Sequence, residues 1–298
     1  MNKIRWGIIG PGSIANNFAD ALLQSYSGEL IAIASFNDER RKTFGDKYKI
    51  KEDLRFNDYD LLLNSEQIDA VYISTPHTLH AELSIKAAGK GKHILCEKPA
   101  AVNFKQGLKV IQAVENAGVF YKEGFMYRCH PQIPALLGLI KDKIIGDTHK
   151  IISSFGFDMT KVIPEHRLFN KDLAGGAILD VGLYPVSFSR MIAGVKSGKK
   201  FINPTKLSAE AKIGDTGVDE ISSAVMEFDN GITAEAYTAI MKDMDNNAII
   251  EGTNGKIIVD NPWMPGRDGG PYHSTIKIIK NGKEEIKEFK GPEHLFFF

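Results

Sequence analysis

The sequence predicts an α/β chain in two domains. A doubly wound parallel sheet is expected over residues 1–122, and an α+β domain with a predominantly antiparallel open sheet over residues 123–298. Three observations predict this. In the first part, apolar strand-like runs alternate with helical stretches of about 10–15 residues, the pattern of βαβ units. In the second part, β-rich runs follow one another across turn dipeptides, the pattern of hairpins. Finally, 298 residues at roughly 150 per domain allow two separate cores.

Taken in order, residues 4–9 form an apolar run ending in a glycine turn, after which Ile14, Phe18, Ala21 and Leu22 recur at helical spacing. Residues 30–36 read as a second strand and the charged stretch 38–48 as a second helix. A strand at 70–74 precedes a helix at 78–88, a strand at 93–96 precedes a helix at 104–116, and residues 119–121 make a fifth strand. Beyond residue 123, helices at 132–141 and 176–192 bracket a long strand at 148–157. Further strands are expected at 206–213, 221–228, 232–238, 246–251, 256–260 and 274–279. Asp229-Asn230-Gly231, Thr253-Asn254-Gly255 and Asn281-Gly282 mark turns between them. The two helices should cover one face of that sheet. The chain ends on Leu295-Phe296-Phe297-Phe298, and such rings are expected to be covered. Either they dock on the second domain, or the chain lacks a C-terminal helical segment.

Hydrophobic residues make up 43% of the chain and charged residues 25%, which is average for globular proteins and excludes disordered, collagen-like and coiled-coil classes. Thirty-seven basic and 37 acidic side chains cancel, so no net field draws the protein to nucleic acid or anionic lipid. Apolar runs such as 70–73 fall short of the roughly 20 residues that span a bilayer. Cys96 and Cys129 make neither a disulfide framework nor a metal-ligand spacing. The apolar stretch at the start is too short for a signal-peptide core. The expectation is a cytoplasmic protein with reduced cysteines, no metal, and neither nucleic-acid nor membrane partners.

Gly10-Pro11-Gly12-Ser13-Ile14-Ala15 directly follows the first strand and opens the first helix. Gly10 permits the tight turn, Gly12 lets the backbone approach a pyrophosphate, and Ala15 lets the helix sit close to the sheet. The positive helix end then faces the phosphates. This is the dinucleotide signature of a Rossmann domain. The second strand ends on Ser35-Phe36-Asn37, with Arg40 and Arg41 one turn later, where an acidic residue would favour NAD. A hydroxyl and a guanidinium suit a 2′-phosphate, so NADP is expected in preference to NAD.

Glu97-Lys98-Pro99 follows the fourth strand, at the sheet edge where such folds bind ligands. In the second part, Asp180 and Tyr184 are four residues apart and so share one helix face. Lys98, Asp180 and Tyr184 form a plausible acid/base group for an oxygen whose carbon exchanges hydride. With Ser74-Thr75-Pro76-His77-Thr78-Leu79-His80, with 123–132 (Glu-Gly-Phe-Met-Tyr-Arg-Cys-His-Pro-Gln) and with the 175–184 segment, these motifs run in order through the chain, which resembles the Gfo/Idh/MocA oxidoreductases. The Asp-x-x-x-Tyr form resembles the branch holding dihydrodiol dehydrogenase, xylose dehydrogenase, glucose–fructose oxidoreductase and sugar ketoreductases. Thr216-Gly217-Val218-Asp219-Glu220 is similar to a segment of the dihydrodiol and xylose dehydrogenases.

The resemblance implies that Lys98 lies beside the nicotinamide, that Asp180 orients substrate or partner side chains, and that Tyr184 and Lys98 serve the substrate oxygen. It leaves open which of those two carries the proton. It also implies that Thr75, Pro76, His77, His80, Glu97 and Arg167 approach the cofactor, and that Tyr127 and Arg128 lie near the substrate. His130, His149 and His166 are expected in ordinary structural or surface roles. The implied substrate is a polyhydroxylated small molecule such as a sugar or polyol. The implied assembly is a homo-dimer or tetramer through the second-domain sheet. A trans-dihydrodiol dehydrogenase and a non-catalytic dinucleotide-binding regulator are the alternatives.

Overall fold

In the computed structural model, residues 3–265 and 273–290 are described, and the chain divides into two units between Phe125 and Met126. The terminal aromatics at 296–298 lie outside the described residues. The first unit runs β1 (Ile4–Ile9), α1 (Ser13–Leu22), β2 (Gly28–Ala34), α2 (Asp38–Lys47), β3 (Arg55–Phe56) and α3 (Tyr59–Asn64). It continues with β4 (Ala70–Ile73), α4 (His77–Gly89), β5 (His93–Cys96), α5 (Phe104–Ala117) and β6 (Tyr121–Glu123). All six strands are parallel, in the order β3-β2-β1-β4-β5-β6. The order reverses beside β1, which makes the carboxyl ends of β1 and β4 the switch point where ligands bind in this architecture.

The inner strands are buried on both faces, which is why they read as continuous apolar runs rather than alternating ones. Ile8, Ile9, Ile33, Val71, Tyr72 and Ile73 have no exposed surface, and each such side chain contributes roughly 1.5–3 kcal/mol on burial. Phe18 of α1 stacks on Tyr72 with ring centroids 4.1 Å apart, fixing α1 against the sheet. Three elements depart from the sequence expectation. β3 is two residues long, too short to show a period. α3 is a short helix capped by Asp58, whose carboxylate accepts from the Asp60 and Leu61 amides. The fifth expected strand begins at Tyr121, because Gly118 turns left-handed (φ 65°) and uses Val119 and Phe120 to leave the helix.

The second unit contains α6 (Gln132–Lys141), β7 (Thr148–Gly156), a π-helical turn (Ile178–Gly182) and α7 (Leu183–Lys196). Then come β8 (Lys206–Ile213), β9 (Asp219–Glu227), β10 (Thr233–Ala239), β11 (Asn247–Gly252), β12 (Gly255–Asp260), β13 (His273–Lys280) and β14 (Lys283–Lys290). The sheet order is β14-β13-β12-β11-β7-β10-β9-β8. The crossover containing α7 carries the chain from β7 to the far edge strand β8, and the β8-β9-β10 meander returns β10 beside β7 in parallel; the other neighbours pair antiparallel. α6 and α7 pack on each other and on this sheet. β14 escapes the sequence reading because its charged residues Glu284, Glu285, Lys287 and Glu288 hide its period; charge on an edge strand discourages unwanted pairing. The single helix expected at 176–192 is instead the π turn running into α7. One stretch among the described residues, Lys171–Lys196, is long and apolar enough to cross a membrane, and most of it is buried inside the unit.

Candidate active site

The glycine turn after β1 is built for two different reasons at its two glycines. Gly10 adopts φ +91°, and a Cβ there would sit 3.1 Å from the Ser74 carbonyl and from Thr75 Cγ2. It is a glycine because the fold leaves no room. At Gly12 a Cβ would meet no protein atom within 4 Å, so the fold itself does not require glycine there. The first turn of α1 carries no side-chain cap and no acidic residue, leaving its N–H groups and positive dipole end to a ligand. Beside the turn, Thr75 Oγ1 is buried without a hydrogen-bond partner. An open Gly12, an uncapped helix start and a buried unpartnered hydroxyl fit a bound dinucleotide. Pro11, Ser13, Ile14 and Ala15 complete this turn, with Ala15 fully buried against the sheet.

Two supports of the turn escaped the sequence reading. Asn16 Nδ2 donates to the Gly12 carbonyl at 3.0 Å, and Ser74 Oγ donates to the Gly10 carbonyl at 2.8 Å. Asn16 was recoverable from its i+4 spacing to Gly12. Ser74 depends on the β1–β4 register.

At the end of β2, Ser35 is buried and its Oγ accepts the Asn37 amide at 3.2 Å, while Asn37 Oδ1 caps α2 through the Arg40 amide at 2.8 Å. Arg41 donates to the Ser35 carbonyl at 2.6 Å and pairs with Asp38. The Arg40 side chain is exposed and lines a cavity of about 330 Å³ with Pro11, Asn16, Thr43 and Lys47. Phe36 is exposed, its ring centroid 4.5 Å from that of Tyr59.

The ends of β4 and β5 are tied together by His80. Its ring is buried, with Nε2 2.8 Å from the Thr75 carbonyl and Nδ1 2.8 Å from the Pro99 carbonyl. Facing two acceptors, it donates from one nitrogen when neutral and from both when protonated; burial pulls its pKa below the ordinary value. His80 therefore holds the two loops rather than presenting its ring to a ligand. Pro76 and His77 start α4 on the same edge, and the His77 ring centroid lies 5.8 Å from that of His80.

Glu97 is likewise buried: Tyr72 Oη donates to its Oε1 at 2.6 Å, and the Lys98 amide donates to its Oε2 at 3.3 Å. It braces the backbone that carries Lys98, itself half-buried. Glu123 braces the next residues by accepting the Ala100 amide at 2.7 Å.

Burial pushes the Glu97 carboxyl above its ordinary range, against the opposing Tyr72 hydrogen bond and Lys98 charge. A raised carboxyl pKa means the neutral form is favoured in the folded state. Its contribution is complete below the unfolded value of 4.5 and is lost as pH rises through the folded value. Glu97→Gln fixes the neutral form, so its stability relative to wild type is expected to increase from about pH 5 to about pH 8. Urea unfolding at both pH values checks this; parallel pH dependence of the two proteins would contradict it.

In the second unit, Gly175 lets the Arg167 loop lie against the segment carrying Asp180. A Cβ at Gly175 would come within 2.7 Å of the Arg167 carbonyl and 2.5 Å of the Leu168 carbonyl. Arg167 Nη1 then donates to Asp180 Oδ1 at 2.9 Å, with Asp180 buried and the guanidinium about half exposed. In the described structure Arg167 thus serves Asp180.

Asp180 lies in the π turn and Tyr184 in the first turn of α7. π turns are rare and frequent at functional sites. The Tyr184 ring packs against Phe155, Tyr127 and Trp263 at centroid distances of 5.2, 5.7 and 6.2 Å. Tyr127, expected near the substrate, is fully buried with its hydroxyl donating to Ser187 Oγ at 3.2 Å, so it backs Tyr184. Arg128 is exposed and lies over the Phe201 ring, 4.6 Å from its centroid. His130 is fully buried, and burial holds its pKa down to about 4.

A parallel nucleotide-type sheet with this glycine turn, followed by a unit with a predominantly antiparallel sheet and the Arg167–Asp180 pair in its loop and π turn, defines a two-unit dehydrogenase architecture. Comparison with known proteins agrees. Residues 4–125 match the model of the oxidoreductase family with an NAD-binding Rossmann fold, and residues 135–258 match the GFO/IDH/MocA C-terminal domain. The chain belongs to the Gfo/Idh/MocA oxidoreductase family. It is 31% identical over 291 residues to the trans-1,2-dihydrobenzene-1,2-diol dehydrogenase of Mus musculus, covering 97% of this chain and 80% of that one. The same-named protein of Xenopus tropicalis is 33% identical over 283 residues (94% and 79%). A 3-ketoreductase from Actinomadura kijaniata, crystallised with NADP and TDP-benzene, superposes with a TM-score of 0.85 at 26% identity, covering 99% of this chain and 86% of that one. The aldose-aldose oxidoreductase of Caulobacter crescentus, at 24% identity and a TM-score of 0.86 (99% and 87%), shares the fold.

Proposed function

We propose that this protein is an NAD(P)-dependent oxidoreductase that moves hydride between nicotinamide and a secondary alcohol or carbonyl of a sugar or related polyol. The observation that carries the reading is the first sheet's carboxyl edge, where the open Gly12, the uncapped α1 and the unpartnered Thr75 hydroxyl share one edge with Lys98. The dinucleotide, when bound, supplies the hydride chemistry; the protein supplies binding, orientation and charge.

Lys98 binds the substrate oxygen, its ammonium offsetting the negative charge that develops there. Tyr184 is the proton donor in reduction and the acceptor in oxidation. Asp180, neutralised on one side by Arg167, orients substrate hydroxyls. NADP is the preferred cofactor, since Arg41 is engaged by Ser35 and Asp38 whereas Arg40 faces solvent.

A second reading, oxidation of an aromatic trans-dihydrodiol, is favoured by the names of the relatives near 30% identity. We place the protein in the cytoplasm. We further propose a homo-dimer or tetramer through the second sheet, whose exposed Val225 and Tyr237 support such an assembly.

The test is consumption of NADPH or NADH with a panel of pentoses, hexoses, keto-sugars and dihydrodiols. NADPH is expected to be used in preference, and Arg40→Ala to erase roughly 10–100-fold of that preference, the worth of one charge-assisted hydrogen bond. Tight NADPH binding with no turnover across the panel would contradict catalysis and favour a regulator.

A further inference from the structure

Asp180 sits in a π turn, a geometry that does not hold itself well, since its i→i+5 pattern occurs as isolated turns inside helices. Something outside the turn has to hold it. The contacts that do so come from β9 and β10. Asp219, at the start of β9, points its carboxylate at the beginning of the turn: Oδ2 accepts the Ile178 amide at 2.8 Å and the Ser222 hydroxyl at 2.8 Å. Its other oxygen closes over Gly176, where φ is +109° and a Cβ would sit 2.1 Å from Oδ1. From β10, Thr238 Oγ1 donates to the Ala177 carbonyl at 3.4 Å, and its methyl would be 3.0 Å from a Cβ at Gly182.

The glycines at 176 and 182 thus match the two strand residues that grip the turn. The platform is firm, because β9 is paired along its length to β8 on one side and β10 on the other. A carboxylate at a helix start satisfies an amide with no acceptor in its own helix and complements the dipole. The distance from Ile178 to Asp180 is two residues, so a shift of the anchor passes directly to the Arg167–Asp180 pair and to Tyr184 at the head of α7.

We infer that Asp219 is a positioning residue: through Ile178 and Gly176 it sets the π turn that presents Asp180 and Tyr184, without itself touching substrate. The inference rests on the oxidoreductase reading above. It also gives a role to the Thr216-Gly217-Val218-Asp219-Glu220 motif.

The experiment compares Asp219→Ala, Asp219→Asn and Ser222→Ala with wild type in steady-state turnover, NADPH titration and amide hydrogen exchange. Asp219→Ala should lower kcat/KM about 10–100-fold, the scale of an ångström-sized misplacement, with NADPH affinity unchanged within about twofold. The Ile178 amide should lose protection. Asp219→Asn keeps an oxygen that accepts from Ile178 and should restore turnover to within about threefold of wild type. Ser222→Ala leaves Asp219 in place and should fall between the two, which keeps the test decisive if the alanine variant does not fold.

Wild-type-like kcat/KM in folded Asp219→Ala, or failure of Asp219→Asn to rescue, would overturn the inference. If wild type consumes no NADPH with any substrate, the catalytic reading fails. The Ile178 exchange rate still decides whether Asp219 anchors the turn.

Discussion

Replacing Lys98 with methionine is expected to lower kcat by about 10²–10⁴-fold, the range assigned to a positioned acid/base group, while NADPH affinity stays within about threefold of wild type. Methionine keeps the unbranched stem and removes the ammonium. The brace that places residue 98 acts on the backbone, through the Lys98 amide on Glu97 and Tyr72 behind it, so the loop keeps its course. The phosphate-binding features are elsewhere on the edge, at Gly12 and the start of α1. The measurement is stopped-flow turnover alongside NADPH fluorescence titration. A variant retaining kcat within about tenfold of wild type would remove Lys98 from the chemistry.

Gly12→Val has the second large effect and the opposite signature. Its side chain projects into space that no protein atom occupies, and Gly12 has φ −87°, which any residue adopts. Thermal stability should therefore be unchanged. NADPH affinity should fall by about 100-fold or more, because the branched side chain takes the volume where the pyrophosphate approaches the backbone. The contrasting variant is Gly10→Ala. There φ is +91° and the new Cβ meets the Ser74 carbonyl, so the melting temperature should drop. Calorimetric titration and thermal denaturation of both variants separate the glycine the ligand needs from the glycine the fold needs. An intact NADPH affinity in Gly12→Val would mean that the phosphates do not pass over this turn.

Much of this was legible in the sequence, and the reason is local. Buried parallel strands write continuous apolar runs, hairpin turns carry Asn-Gly or Asp-Asn-Gly, and the glycine turn and Lys98 follow strand ends that can be read in order. What could not be read depends on register or on tertiary packing. Ser74 reaches Gly10 only because β4 pairs with β1, and Tyr72 reaches Glu97 only because β4 pairs with β5. Asp219 is 41 residues from the Ile178 amide it holds. The π turn is invisible because a single turn of five residues is too short to show a period of its own. Tyr127 and His80 bear side chains equally suited to ligand contact and to burial, and three-dimensional packing made the choice for both.

We propose that the Lys98 amine and the Tyr184 phenol serve a single substrate oxygen. A double-mutant cycle on Lys98→Met and Tyr184→Phe tests it most directly. Groups that act as one unit are strongly non-additive. The double variant should therefore turn over no more than about threefold more slowly than the slower single variant. If the two losses multiply in full, the amine and the phenol act on separate steps or separate atoms, and the assignment is wrong.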